Sequence, residues 1–299
     1  MTPTLPIVFF GSGPVAAASL RRLVRHFSVE AVITKPRPEG HHGLVPVLDL
    51  ASELGLPVVT AANKVELSAA VAAQTFQSRV AVLIDFGIIV AADVINKFPL
   101  GIINSHFSLL PEWRGADPIS FAILSGQAAT GVSLMLLVPA MDEGPLLAQA
   151  TVPVENRDIE QLTAALIEAS DELLATKLPL YVSGELTPQP QTGQPSYSRK
   201  LTKQDGELDF TKPAVQLERE IRAFLTWPKS HCKISDIDSL LIRSNVIEGQ
   251  GTPGEIYLQA KTLGFYTSKD ILVIEALKPA GKGVMTAEAF LAGYGSHLK

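Results

Sequence analysis

The residues best suited to chemistry follow an apolar run at positions 101–103, which leads directly into Asn104, Ser105 and His106. Residues two apart on a β-strand share a face, so Asn104 and His106 are predicted to project together while Ser105 points away. An amide and an imidazole on one face can hydrogen-bond a carbonyl oxygen as it becomes tetrahedral. The spacing therefore indicates acyl or one-carbon transfer. The alternative is that both residues are structural, with Asn104 capping a turn and His106 packing at the end of the strand.

A carboxylate for the same site is available at Asp142, in the loop of "LVPAMDEGPLL". It lies 36 residues beyond His106, a separation that two neighbouring βα units can close in space. The carboxylate can orient the imidazole or accept a proton. A covalent acyl-enzyme is not expected, because Ser105 faces the other way, no G-x-S-x-G motif is present and no cysteine is nearby. Direct attack by the acceptor on a bound acyl donor is the simpler mechanism.

A glycine loop, "FFGSGPVA", places Gly11, Gly13 and Ala16 in the G-x-G-x-x-A form of the dinucleotide fingerprint. That fingerprint also requires an acidic residue about 20 positions later, at the end of the second strand. Here that strand ends in Thr34 and Lys35. We therefore favour a tight strand-to-helix turn over a dinucleotide site, and the turn stays compatible with a pocket for another ligand.

Composition sets broad limits on the function. The 299 residues are 46% hydrophobic, with a net charge of −5 and one cysteine, Cys232. A surface that is basic throughout and traps nucleic acid is excluded, as are intrachain disulfides. No apolar run reaches about 18 residues, so we expect a cytoplasmic protein without a membrane span, and we predict a monomer. The histidines offer only the adjacent pair at positions 41 and 42, and no metal site is predicted.

The order of apolar runs predicts two domains. Short β-branched runs alternate with longer amphipathic runs, which is typical of an α/β fold with a doubly wound, Rossmann-like parallel sheet. A polar, proline-rich stretch at 185–200 reads as a linker between a catalytic domain at 1–184 and a smaller β-barrel (OB-like) C-terminal domain at 201–299. Strands are predicted at 7–11, 29–34, 80–86, 101–106, 131–138, 147–154, 232–237, 240–246, 254–258, 262–266 and 271–277. Helices are predicted at 15–26, 45–54, 64–75, 118–124, 159–180 and 213–224.

The stretch "NSHFSLLPEWRGADPI" resembles the signature of formyltransferases and hydrolases that use 10-formyltetrahydrofolate, and "MDEGPLL" resembles their Asp-x-Gly loop. The resemblance implies that Asn104 and His106 hold the formyl oxygen, while Asp142 supports His106 and relays a proton as an amine attacks. It also implies a pterin pocket built from residues 84–90 and the Asp142 loop. The expected contacts of the 10-formyltetrahydrofolate co-substrate are Phe86, Gly87, Ile88, Ser108, Leu109, Leu110, Pro111, Met141 and Gly144.

The segments 197–228 and 277–293 resemble the members of this family that formylate initiator methionyl-tRNA, so that the resemblance covers nearly the whole chain. It implies that the acceptor is the α-amine of methionine on initiator tRNA, that the C-terminal domain binds tRNA, and that Arg114 contacts the aminoacyl end. The residues expected on the acceptor side are Gly11, Ser12, Gly13, Lys35, Arg37, Trp113, Arg114 and Gly115.

Departures from the family pattern keep alternatives open. Relatives usually carry a longer, strongly basic loop after the second strand, where this chain has only Lys35 and Arg37, offset by Glu39. Asp85-Phe86-Gly87 also replaces the usual Ala-Tyr-Gly. One alternative is a formyltransferase for a nucleotide-linked amino sugar, which the C-terminal resemblance disfavours. The other is a catalytically inactive folate- or RNA-binding homologue, which the intact Asn-His-Asp trio disfavours.

Overall fold

The computed structural model describes residues 5–295 and divides the chain into two compact units. The first comprises residues up to 115, 129–153 and 163–197; the second comprises 116–128, 154–162 and residues from 198 onward. Two short segments that the predicted boundary assigned to the catalytic domain thus pack with the second unit. The assignment of catalysis to 1–184 and tRNA binding to 201–299 stays a prediction.

The first unit is built on a seven-stranded sheet with the order β3-β2-β1-β4-β5-β7-β8, and a short strand β6 pairs with β9. Its strands are β1 (Pro6–Phe10), β2 (Ser28–Thr34), β3 (Val58–Thr60), β4 (Ala81–Leu83), β5 (Ile102–His106), β6 (Arg114–Gly115), β7 (Ala129–Leu136), β8 (Leu146–Pro153) and β9 (Tyr197–Ser198). The helices up to residue 183 are α1 (Pro14–Leu23), α2 (Pro46–Glu53), α3 (Lys64–Ala72), α4 (Ala92–Ile95), α5 (Pro118–Ser125) and α6 (Ile159–Ser183), of which α5 belongs to the second unit.

The predicted α/β class with a mainly parallel sheet is confirmed, and one edge of the sheet departs from it. The five strands from β3 to β5 are parallel, whereas β7 runs antiparallel to β5 and β8 antiparallel to β7. The loop 137–145 between β7 and β8 is too short for the crossover that two parallel strands require. A hairpin therefore replaces the last βα unit of the predicted series.

The core of the first unit explains why these strands form. All but the first residue of β1 are fully buried, as expected for a central strand covered on both faces. The ring of Phe10 meets Phe86 edge-on at 5.5 Å and Phe98 at 5.9 Å between centroids. The strand predicted at 80–86 ends early, at Leu83, because Asp85 adopts a left-handed backbone with φ 47°. That turn lies next to the glycine loop, whose Ser12 amide donates to the Asp85 carbonyl.

The second unit contains a curled antiparallel sheet with the order β10-β11-β14-β13-β12 and with β15 on β14. Register shifts around Arg243 in β11 bend this long strand. The predicted OB-like module is confirmed as a half-barrel, since β10 and β12 lie at the two edges of the strand order rather than paired. Its elements are α7 (Ala214–Ala223), β10 (His231–Ile234), β11 (Ile237–Ile247), β12 (Ile256–Gln259), β13 (Thr262–Tyr266), β14 (Ile271–Pro279), β15 (Met285–Thr286) and α8 (Ala287–Tyr294).

A separate apolar core holds the second unit together. Leu217 and Ile221 of α7 and Phe290 of α8 are buried together with Leu241 and Phe265 of the sheet. Helix α8 was not predicted from the sequence, and its apolar face completes this core. In the part of the chain that the model describes, no helix is both long enough and apolar enough to cross a membrane.

We expect Phe10→Ala to lower the free energy of unfolding by about 3–5 kcal/mol, because it empties a fully buried site where three aromatic rings meet. Urea unfolding followed by circular dichroism measures the change. Val65→Ala is the matched control: Val65 is 79% exposed on α3, and its truncation should alter stability by less than about 0.5 kcal/mol. Equal losses in the two variants would contradict this picture of the core.

Candidate active site

Asn104 and His106 lie at the carboxyl end of β5, where open α/β sheets bind their ligands. They are 8% and 7% exposed. The hydroxyl of Ser105 points instead toward α6 and bonds the hydroxyl of Ser170 at 2.7 Å. The strand thus directs the amide and the imidazole to one side and buries Ser105 on the other. Ser105 has no route to a bound acyl group.

The imidazole of His106 faces a protein acceptor at each ring nitrogen, and the one at Nε2 is within hydrogen-bond distance. Nε2 lies 3.1 Å from the carbonyl oxygen of Trp113. Because a carbonyl can only accept, Nε2 carries a proton and donates it. Nδ1 lies 3.8 Å from Oδ2 of Asp142, with both side chains nearly buried. A second ring proton, if present, therefore faces the carboxylate, and the His106–Asp142 pair is arranged to hold a proton.

Asp142 reaches this position by a route that the sequence did not predict. The prediction placed it after a neighbouring βα unit, but it belongs to the β7–β8 hairpin loop. Because β7 is antiparallel to β5, this loop starts beside Ile102, where the Leu137 amide donates to the Ile102 carbonyl at 2.8 Å. The loop then folds back along β5 to His106. The backbone amide of Gly115 donates to Oδ2 of Asp142 at 2.8 Å and holds the carboxylate there.

The side-chain amide of Asn104 is available to a ligand. Among residues 5–295 no protein hydrogen bond to this amide is found, although the residue is almost buried. A nearly buried amide that lacks a protein partner needs another one, because leaving it unpaired costs free energy. Asn104 therefore suits a carbonyl oxygen that binds beside His106.

The glycine loop, residues 11–13, packs against Asp85. The carbonyl oxygen of Asp85 accepts from the amides of Ser12 at 3.0 Å and Gly13 at 3.3 Å. A Cβ on Gly13 would overlap the Asp85 carboxylate, and a Cβ on Gly11 would overlap Ala16. The amino end of α1 therefore faces a negative charge, which opposes the binding of a second anion there. This geometry favours the tight turn over a dinucleotide site, and it suits a neutral or cationic group at Gly11, Ser12 and Gly13 better than a phosphate.

The two cations of the loop after β2 are placed differently. Arg37 donates to the Gly43 carbonyl and to the Asp49 carboxylate, both at 2.5 Å, so its charge is balanced by a carboxylate of α2. Lys35 extends toward Gly87: its Nζ lies 3.1 Å from where a Cβ on Gly87 would stand. Both cations were predicted to contact the acceptor, and of the two, Lys35 has the charge that is more available to a ligand.

Several residues predicted to contact the folate have buried side chains. Phe86 belongs to the aromatic core, and Ser108 donates to the Glu112 carbonyl at 2.5 Å. Leu110 is 3% exposed, and a Cβ on Gly144 would overlap the Leu136 carbonyl oxygen. Phe86 and Leu110 thus serve packing, Ser108 a hydrogen bond within its loop, and Gly144 a close backbone approach. The more accessible members of the predicted set are Gly87, Ile88, Leu109, Pro111 and Met141.

A polar network that sequence reasoning missed braces the loop after β5. Ser133, the partner of His106 in the β5–β7 pairing, accepts from the Leu110 amide at 2.9 Å and donates to the Ser108 carbonyl at 2.6 Å. Gln149 donates to Ser133 Oγ at 2.8 Å and to the Leu110 carbonyl at 2.9 Å. The sequence feature that could have predicted this network is the presence of Ser133 and Gln149 inside two apolar strands, because buried polar groups need hydrogen-bond partners.

The guanidinium of Arg114 is held by protein groups that include Glu143 and Gln191. It lies 3.2 Å from Glu143 and donates to Oε1 of Gln191 at 2.8 Å, with only 12% of the side chain exposed. The backbone of its neighbour Trp113 donates to Oγ of Ser196 at 2.9 Å. Gln191 and Ser196 were also missed, because they lie in the segment predicted as a linker. The predicted contact of Arg114 with an aminoacyl end would share the guanidinium with these partners.

Two family models match the chain: the formyl transferase model over residues 7–178 and the formyl transferase C-terminal domain model over residues 200–295. The chain belongs to the formyl transferase family. It is 36% identical to a methionyl-tRNA formyltransferase of Roseiflexus sp. (strain RS-1), over 97% of this chain and 92% of that protein. It is 35% identical to a methionyl-tRNA formyltransferase of Myxococcus xanthus (strain DK1622), over 96% of this chain and 95% of that protein.

Solved structures share the fold at low identity. The N-formyltransferase of Helicobacter canadensis, in complex with folinic acid and dTDP-3-aminofucose, aligns with a TM-score of 0.69 at 19% identity, over 91% of this chain and 99% of that one. HypX of Aquifex aeolicus, in complex with tetrahydrofolic acid, aligns with a TM-score of 0.64 at 17% identity, over 97% of this chain and 47% of that one. At these identities the likeness supports the fold alone.

The single cysteine is unsuited to nucleophilic chemistry. Cys232 packs against the core of the second unit, and burial raises the pKa of its thiol to about 12. At pH 8 only about one thiol in ten thousand is then ionised, and the thiolate is the reactive form. Within residues 5–295, no three His, Cys, Asp or Glu side chains are grouped so that they could hold a metal ion.

We expect native Cys232 to react with iodoacetamide far more slowly than an unfolded thiol at pH 8. The rate should rise about tenfold for each pH unit as the pH approaches 11, because the thiolate fraction rises in that proportion. Mass spectrometry of the alkylated protein measures the rate, with the urea-unfolded chain as the control. A native rate that levels off near pH 9 would show that the thiol has an ordinary pKa.

Proposed function

We propose that this protein transfers the formyl group of 10-formyltetrahydrofolate to the α-amine of methionine on initiator methionyl-tRNA. The observation that carries the chemistry is the convergence of Asn104, His106 and Asp142 at the carboxyl end of β5, where no protein partner of the Asn104 amide is found among residues 5–295. The acceptor is supported by relatives named methionyl-tRNA formyltransferase, which match nearly the full chain at 30–36% identity. The proposed role is the formylation of initiator tRNA for translation initiation.

In the proposed mechanism, the formyl oxygen lies against the Asn104 amide and the Nδ1 edge of His106. Nε2 of His106 is committed to the Trp113 carbonyl, so the ring proton that serves the oxygen is the one at Nδ1. The 3.8 Å between Nδ1 and Asp142 exceeds a hydrogen bond and leaves this edge accessible to the reacting group. Donors already in place stabilise the negative charge that develops on the oxygen, without reorganisation during the reaction.

The proton balance assigns a role to Asp142. The amine nitrogen attacks the formyl carbon and the bond from that carbon to N10 of the folate breaks. One proton must leave the amine and one must reach N10. The His106–Asp142 pair can accept the first and supply the second, so the transfer needs no covalent intermediate on the protein. The Gly115 amide keeps the Asp142 carboxylate in place throughout.

One observation in the loop after β2 keeps a second acceptor class as an alternative. The charge of Arg37 is balanced by Asp49, and the loop therefore offers little net positive charge to a nucleic acid. An amino group on a nucleotide-linked sugar would undergo the same chemistry without needing a basic loop. The Helicobacter canadensis structure contains such a ligand, dTDP-3-aminofucose. The match of the C-terminal domain model to residues 200–295 favours the tRNA acceptor instead.

We expect purified protein to formylate methionyl-initiator tRNA with 10-formyltetrahydrofolate and to leave an amino-sugar nucleotide unmodified. Incorporation of labelled formyl measures the transfer, with methionyl-elongator tRNA as the matched control for selectivity. The rate at subsaturating tRNA should fall as salt rises, because phosphate contacts release counterions. Transfer to the sugar alone would retain the mechanism and replace the acceptor. No transfer to any acceptor would refute the proposed function.

We expect His106→Ala and Asp142→Asn to lower kcat by at least about a hundredfold while the fold persists, because each removes one half of the proton-holding pair. Ser105→Ala is the control, since Ser105 lies on the same strand and bonds Ser170 on the opposite face. It should keep kcat within about twofold and lose only a modest amount of stability. Near-normal turnover of His106→Ala would show that the mechanism is wrong.

A further inference from the structure

The segment predicted as a linker is fastened to the loops of the active site. We call residues 189–197 the strap. The strap exchanges two backbone hydrogen bonds with β8, between Gln189 and Leu146 at 2.7 and 2.8 Å. Farther along, the carbonyl of Ser196 accepts from the Arg114 amide at 2.9 Å. The strap thus spans from the hairpin that carries Asp142 to the loop that follows β5.

Between these two anchors, the side chain of Gln191 joins both loops. Its Nε2 donates to the carbonyl oxygens of Asp142 and Gly144, each at 2.8 Å. Its Oε1 accepts from the guanidinium of Arg114 at 2.8 Å. A glutamine amide offers two N–H donors and one carbonyl, and all three groups are used here. Few other side chains can donate twice and accept once in this arrangement.

The Asp142 loop needs such support. Asp142 has a left-handed backbone with φ 52°, which a non-glycine residue keeps only when its surroundings hold it. The Gly115 amide donates to the side-chain carboxylate of Asp142, and the Gln191 side chain donates to its backbone carbonyl. The bond to Gly144 fixes the turn two residues later. Without Gln191, the loop keeps the hydrogen bond from the Gly115 amide to the Asp142 carboxylate. It loses the two hydrogen bonds to the backbone carbonyls of Asp142 and Gly144.

We propose that Gln191 is a positioning residue that keeps Asp142 beside His106. It contacts neither reacting atoms nor substrate in this role, and it acts through the backbone carbonyls of the Asp142 loop. The inference rests on the proposed function in one respect, that Asp142 handles the proton of the transfer step. Its effect is therefore on the rate of that step rather than on the binding of donor or acceptor.

The kinetic test compares Gln191→Ala and Gln191→Glu with Gln194→Ala. Gln194 lies in the same strap with an exposed side chain, and no hydrogen bond of that side chain is found within residues 5–295. We expect Gln191→Ala to lower kcat by about 10–100-fold, as loss of a partner behind a reacting group typically does. The KM values for both substrates should change less than about threefold, and Gln194→Ala should match the parent.

Gln191→Glu separates the two sides of the bridge. A glutamate keeps the length and an acceptor for Arg114, but it presents carboxylate oxygens to the carbonyls of Asp142 and Gly144 in place of N–H donors. We expect no rescue: kcat of Gln191→Glu should be as low as that of Gln191→Ala. If glutamate restores the parent kcat, the contact with Arg114 alone is what matters, and the inference that Gln191 holds the Asp142 loop is overturned.

Hydrogen exchange without substrates tests the positioning independently of the activity. We expect faster exchange of the backbone amides in 137–146 in Gln191→Ala than in the parent or in Gln194→Ala, at unchanged melting temperature. Unchanged exchange, or faster exchange with parent kcat, overturns the inference. If the parent protein formylates no acceptor while Gln191→Ala still loosens this loop, the proposed function fails and the positioning of Asp142 by Gln191 stands.

Discussion

The antiparallel pairing of β7 with β5 is the constraint on which the active site depends. It delivers the β7–β8 loop to the wrong end of β5, beside Ile102, so the loop must fold back to bring Asp142 to His106. A returning loop of this kind passes close to its own strand, and Gly144 permits the approach because a Cβ there would overlap the Leu136 carbonyl. Asp142 has a left-handed backbone in this returning loop, and it is held by hydrogen bonds from Gly115 and Gln191 outside the loop.

Two sets of hydrogen bonds then hold the chemistry from opposite sides. Ser133 and Gln149 fix the loop that follows His106, and Gln191 fixes the loop that carries Asp142. The donors of Ser133, Gln149 and Gln191 all bond a carbonyl or hydroxyl oxygen, so these networks are well satisfied. Satisfied networks in a water-poor environment are rigid, and rigidity keeps donors aimed at the place where charge develops. The Asn104 amide is the exception, since it has no protein partner among the described residues 5–295, and a bound ligand can supply that partner.

The sequence predicted those features that depend on local periodicity. The two-residue spacing of Asn104 and His106 fixed their common face, and the alternating apolar runs indicated the α/β unit with boundaries within a few residues. Periodicity carries no information on strand direction, so the hairpin that brings in Asp142 was not predicted. Polar composition reads as linker whether or not its side chains are bonded, and Gln191 was missed for that reason. Likewise, the pairing of Arg37 with Asp49 is invisible without coordinates.

Charge constrains how an RNA acceptor is held under the proposed function. In the first unit, Asp85 faces the amino end of α1 and Asp49 balances Arg37, so a phosphate there would meet repulsion or would have to displace an existing ion pair. The second unit is less acidic than the first: residues 116–128, 154–162 and 198–299 together contain 15 Lys and Arg against 16 Asp and Glu, and the rest of the chain contains 10 against 14. Three lysines of the second unit, Lys203, Lys229 and Lys278, line one cavity of about 380 Å³. Since backbone phosphates dominate the affinity for nucleic acid, the second unit is the better place for the electrostatic part of tRNA binding, and the first unit is left to recognise the small reacting groups.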